Sequence, residues 1–200
     1  ITHHEEGKAD TLKGLASYSL DVNTKKEENE ISIEQVLGEV SKLNSENNLF
    51  LTDIGDGNDV EDIMGRFKYL VTVLGVRLIF VDPINQFTPP DKGEQDVRKF
   101  LDNLAQRMAK FVVEHQVCCV WTAHVNDEGK TRDSRMVSKA CSIRIDIDRD
   151  ILADDIDTRN TTTVKVTKNR PSGLTGASSS LFFDTESFKL SEIPTYEVPF

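Results

Sequence analysis

The sequence predicts an α/β fold: a mostly parallel sheet flanked by helices and finished by antiparallel or mixed strands at its carboxyl end. Three observations lead there. Between residues 60 and 123, amphipathic helical stripes alternate with short apolar runs, the pattern of parallel strands joined by helical crossovers. Beyond about residue 140 the texture changes to period-two stretches, CSIRIDID, TTTVKVTK and SLFFD, separated by polar turns. The chain of 200 residues, 38 % hydrophobic and 29 % charged, is long and apolar enough for one ordinary packed core. No internal repeat and no long Pro/Gly/Ser-rich linker interrupts it, so residues 1–200 read as a single domain.

The elements follow in order. Gly7 to Leu20 is weakly helical, and NTKKEENE (Asn23 to Glu30) is a charged polar connector. Ile33, Val36, Leu37, Val40 and Leu43 keep helical spacing; Asn47-Asn48 interrupts, LFLTD reads as a short strand, and Gly55 to Asn58 as a loop. Val60, Ile63, Met64, Phe67, Leu70, Val71 and Leu74 form a strong helical stripe closed by Gly75 at a C-cap position. VRLIFV (Val76 to Val81) is apolar but for one Arg, as a strand buried on both faces of a parallel sheet would be. A long amphipathic helix through Val97, Phe100, Leu101, Leu104, Met108, Phe111 and Val112 leads to a second apolar strand, VCCVWTA. Right-handed crossovers then put helices on both faces of the sheet.

Charge excludes one class of function. With 24 basic against 34 acidic side chains the net charge is −10, so nucleic-acid contact must come from a local basic patch. No run approaches the roughly 18 apolar residues of a membrane helix, and ITHHEEGKAD lacks the apolar stretch of a secretory signal; a soluble cytosolic protein with no membrane partner is expected. Three cysteines, Cys118 and Cys119 adjacent, have neither zinc-site nor disulfide spacing and read as buried, reduced filler.

Four segments carry chemistry. VRLIFVDPINQF is an apolar strand ending in Asp82, at the edge where open α/β sheets bind ligands; a carboxylate there can hold Mg²⁺ or its waters, although Asp is also a common turn residue. His124 leaves the next strand, VCCVWTAHVND, on the same edge, where an imidazole can touch a terminal phosphate; a solvated loop His is the plainer reading. From Lys130 to Arg144 the chain carries +4, from Lys130, Arg132, Arg135, Lys139 and Arg144 against Asp133, while the remaining residues carry −14. Such an island suits a phosphate backbone, and a solvated charged face would look similar. In VKVTKNRPSGLTG, Lys168 and Arg170 stand where a strand enters a Pro/Gly loop, a rigid base from which an Arg reaches a neighbouring nucleotide or makes a salt bridge. Two decoys fall away. Gly129-Lys130-Thr131 has His124 where a phosphate loop needs its first Gly, and Gly7-Lys8-Ala9 has no strand before it and Ala in place of the hydroxyl.

Taken in this order, LIFVDPINQF, VWTAH with its basic loop, and VTKNRPSGLTG resemble the carboxyl-terminal part of a hexameric replicative DNA helicase of the RecA-like superfamily. Within that superfamily they are most similar to the bacteriophage primase-helicases and the mitochondrial helicase Twinkle, over about Gly7 to Leu190. The resemblance implies roles. Asp82 helps hold the Mg²⁺ of bound ATP or another NTP; His124 senses the γ-phosphate; Arg170 is the finger given in trans to the neighbouring subunit, with Lys168 its basic partner. Asn126 to Arg135 matches the central-channel loop, so Asn126, Lys130, Arg132 and Arg135 would follow single-stranded DNA. Where the family has an RGSG-like turn this chain reads RDSR, which leaves the loop geometry and the role of Asp133 open. The implied partners are single-stranded DNA and further copies in a homo-oligomeric ring, a hexamer in this family, with a primase domain and a DNA polymerase beyond them. The implied compartment is the cytoplasm of a bacterial or phage-infected cell, or the mitochondrial matrix. The family's first strand, phosphate loop and water-activating glutamate are not found in residues 1–200, which marks the core as incomplete on its amino-terminal side and the chain alone as inactive. A RadA-like recombination ATPase and a ring-assembly scaffold without a phosphate loop are the competing readings.

Overall fold

A helix whose apolar residues recur every three or four positions must bury that stripe, and the two longest stripes of the chain do so against one short strand. The structure, a computed structural model, describes residues 2–3, 7–46, 49–52, 59–88, 93–124 and 135–193, with backbone only for 2, 3 and 135. Its chain divides into two compact units, one of Ile1–Thr11 and Asn44–Cys141, the other of Leu12–Leu43 and Ser142–Phe200.

The first unit holds a parallel sheet in the order β1 (Thr2–His3), β2 (Leu78–Asp82), β3 (Cys118–Trp121). Helix α3 (Val60–Thr72) precedes β2, α4 (Glu94–His115) links β2 to β3, and α5 (Arg135–Ala140) follows. Asp59 caps α3 by accepting the Asp62 N–H at 2.9 Å, and Gly75 takes a φ of 72° just beyond its end, as the spacing predicts. Ile63, Phe67 and Val71 of α3 meet Leu101, Leu104, Met108 and Phe111 of α4 over Ile79 and Val81 of β2. Arg107 of α4 grips Glu61 of α3 with two guanidinium nitrogens, one of them at 2.8 Å, and this holds the Glu61 carboxyl below its ordinary range. Phe67 is fully buried and meets Phe87 edge-on, ring centroids 6.3 Å apart. Phe67→Ala leaves a ring-sized cavity there, so we expect a loss of about 3–5 kcal/mol in urea denaturation followed by the fluorescence of Trp121.

Three expectations change here. Burial of β2 is one-sided: Ile79 and Val81 are each 2 % exposed, but Leu78 is 47 % and Phe80 40 % exposed. Both long helices pack on the Ile79 and Val81 side, and the residues of the other face are only partly covered. LFLTD does not become a strand among its described residues; only Thr52 forms an isolated bridge. Cys118, read as buried, is exposed.

The second unit contains most of α1 (Lys8–Leu20), then α2 (Ile33–Leu43) and an antiparallel sheet in the order β4 (Ile143–Arg149), β5 (Thr161–Asn169), β6 (Gly176–Asp184), β7 (Lys189–Glu192), with the short helix α6 (Ile156–Asn160) before β5. These strands form a sheet of their own and do not finish the parallel one, because each pairs with its sequence neighbour across a short connection. Ser32 and Gln35 make a reciprocal capping box at the start of α2. The NTKKEENE connector is pinned, not loose: the Asn23 backbone N–H donates to the Glu186 carbonyl at 2.6 Å and its side-chain amide to the Thr185 carbonyl at 3.0 Å. Among the described residues no helix is long and apolar enough to cross a membrane.

Candidate functional site

Parallel strands end on the same side, so the residues that follow β2 and β3 are delivered to one edge of the sheet. The ladder runs past both strand ends. Thr122 donates its N–H to the Val81 carbonyl at 2.9 Å, and Ile84 donates its N–H to the Thr122 carbonyl at 3.0 Å. That register sets Thr122 beside Asp82, and the Thr122 hydroxyl donates to Asp82 Oδ1. Two residues further along, the His124 N–H donates to Asn85 Oδ1 at 3.2 Å.

Asn85 lies in a 3-10 turn, Ile84–Phe87, whose end residues are buried at 1 % and 4 % exposure. Its carbonyl accepts both the backbone N–H of Thr88, at 3.2 Å, and the Thr88 hydroxyl, at 2.7 Å. Asn85 is half-buried, while Asp82, Thr122 and His124 are exposed. The structure therefore gathers Asp82 and His124, as the sequence predicts, and adds two residues the sequence reading missed, Thr122 and Asn85. Both stand inside the segments VWTAH and DPIN; what the sequence does not show is that Thr122 reaches the end of β2 and Asn85 the residues after β3.

Among the described residues no three His, Cys, Asp or Glu side chains converge on a metal site. A single exposed carboxylate with a hydroxyl on it is the donor set that suits Mg²⁺, which keeps several waters and takes one or two protein carboxylates along with substrate phosphates. Asp82 fits that role.

Lys168 and Arg170 belong to the second unit. Lys168 is half-buried on β5 opposite Arg144 of β4, and Arg144 is ion-paired to Asp146 at 2.6 Å, which makes that end of the basic island part of the sheet. Arg170 is exposed, immediately beyond β5, and its backbone N–H donates to the Ser142 carbonyl at 3.0 Å. Asn169 builds the turn that follows: its carbonyl accepts the Gly173 N–H at 2.7 Å and its Oδ1 the Ser172 N–H at 3.3 Å, with Gly173 at a φ of 73°. Asn126, Lys130, Arg132 and Asp133 lie outside the described residues, and Arg135 begins α5 with its side chain outside them. Lys139 of α5 is exposed. All three cysteines are free thiols; burial, with Cys118 beside it, pushes the Cys119 thiol up to about 12.

No protein-family model and no curated protein matches the chain. A solved structure does, one that describes a DnaB-like replicative helicase and its interactions with primase. The likeness has a TM-score of 0.69 at 18 % sequence identity and covers 93 % of this chain. This chain spans 48 % of that one, about half its length, and the α/β architecture described above is the fold the two share.

Proposed function

We propose that the chain is the carboxyl-terminal part of the motor of a replicative DNA helicase of the bacteriophage primase-helicase and Twinkle type, residues 1–200 belonging to one RecA-like ATPase domain. The observation that carries this reading is the one sheet edge to which Asp82 and His124 are both delivered, braced by Thr122 and Asn85, in a fold shared with a DnaB-like helicase. In this reading ATP, or another NTP, binds between subunits of a ring. Asp82 holds the Mg²⁺, which neutralises charge on the phosphates, and the phosphate loop comes from a part of the protein outside these 200 residues. His124 meets the γ-phosphate, and the residues that follow it, with Asn126, Lys130, Arg132 and Arg135, track one DNA strand by its phosphates. Arg170 completes the neighbour's nucleotide site, with Lys168 beside it. A primase domain and a DNA polymerase are its partners, and the cytosol of a bacterial or phage-infected cell, or the mitochondrial matrix, its place of work.

The test is duplex unwinding by the native polypeptide. A duplex with a 5′ single-stranded tail is expected to open with MgATP and one with a 3′ tail is not, and single-strand affinity is expected to fall steeply with salt, with little dependence on base sequence. Rings that bind no nucleotide and open neither substrate would overturn the reading in favour of an assembly scaffold.

A further inference from the structure

Two hydrogen bonds cross the sheet edge, each donated from the β3 side, with one side chain reaching across from each strand. From the β3 side, the Thr122 hydroxyl holds the Asp82 carboxylate; from the β2 side, the Asn85 amide oxygen holds the backbone N–H of His124, at 3.2 Å. The Asn85 backbone is fixed by buried neighbours at both ends of its turn and by the two bonds from Thr88 to its carbonyl, which gives its side chain a fixed base. His124 itself is exposed and is held to the β2 loop at its backbone.

Resting on the helicase reading above, we infer that Asn85 is a positioning residue: it latches His124 to the loop that follows Asp82, and so sets how strongly single-stranded DNA stimulates nucleotide hydrolysis. When the latch is closed, His124 stands at a fixed place relative to the Asp82 carboxylate. When it opens, that fixed relation is lost. Opening is cheap for the fold, because the freed N–H of the exposed His124 is satisfied by water. A latch that costs little to open and sits between two ligand-responsive residues is suited to passing a signal between them.

The test uses the native polypeptide with Asn85→Ala, which removes the acceptor, and Asn85→Asp, which keeps an oxygen at the same place. Two quantities are read: the ratio of DNA-stimulated to DNA-free hydrolysis at saturating nucleotide, and hydrogen exchange of the His124 amide without nucleotide. A folding defect lowers both hydrolysis rates together and leaves their ratio alone. Asn85→Ala is expected to lower the ratio about fivefold and to speed exchange of the His124 amide by a similar factor, the worth of one net hydrogen bond. Asn85→Asp is expected to restore both. A ratio that falls less than about threefold in Asn85→Ala, an unchanged exchange rate, or a failure of Asn85→Asp to restore them overturns the latch and leaves the helicase reading intact. If DNA does not stimulate hydrolysis by the unaltered protein, the helicase reading falls and the latch with it.

Discussion

In assembled rings, Arg170→Ala is expected to lower nucleotide turnover by about a thousandfold or more while leaving nucleotide binding within about twofold. The local structure says why this arginine is suited to act on a neighbour. Its backbone is tied to Ser142 across the sheet, and the turn after it is closed by both the carbonyl and the side chain of Asn169. The guanidinium therefore leaves a fixed base and is exposed. An arginine finger stabilises charge that develops on the transferring phosphoryl group, so its loss appears in turnover and not in ground-state binding. Arg170→Lys keeps the charge but not the planar fork, and an intermediate loss of about a hundredfold is expected. Mixing Arg170→Ala subunits with unaltered ones should reduce turnover in proportion to the interfaces lost if, as proposed, each finger serves the next subunit's nucleotide. Normal turnover by rings built wholly of Arg170→Ala subunits would sink the assignment.

What the sequence could and could not reveal follows from the range over which each feature is determined. The α3 and α4 stripes, Gly75 beyond α3 and the period-two strands β4, β5 and β6 are set within a few turns or a few residues of chain, and all are legible. LFLTD has the composition of a strand, yet a ladder needs a neighbour with a free edge as well as β-forming residues, and Thr52 finds only one bridging position among the described residues. The same limit applies to β2. Its apolar run says that side chains on both faces favour burial, but not that both long helices will cover the same face and leave Leu78 and Phe80 partly exposed. β1, only Thr2 and His3, is too short to leave any periodic trace.

At the site, Asp82 and His124 could be named because each stands where an apolar run stops. Thr122 and Asn85 matter through cross-strand register, which joins Thr122 to Asp82 across 40 positions and His124 to Asn85 across 39. No local pattern encodes a partner at that distance. The adjacent cysteines show the same thing at short range: alternation along β3 exposes Cys118 and turns Cys119 toward the core, a split that composition alone does not predict.

Asp82→Asn is expected to reduce Mg²⁺-dependent hydrolysis at least about a hundredfold, with the midpoint of thermal unfolding unchanged within about 1 °C. The substitution is close to isosteric, and an amide oxygen at the Oδ1 position still accepts the Thr122 hydroxyl, so the clasp between the two strand ends survives. What disappears is the negative charge, the property that holds a divalent cation among phosphates. Because Asp82 is exposed at the strand end, its charge is not needed to satisfy a buried partner, and stability and activity should separate cleanly. Raising Mg²⁺ about tenfold should recover part of the lost rate in Asp82→Asn if the defect is weakened ion binding. A fall in stability together with activity would instead make Asp82 a structural turn residue, the plainer reading of an aspartate that closes a strand, and would remove the ground for placing nucleotide at this edge of the sheet.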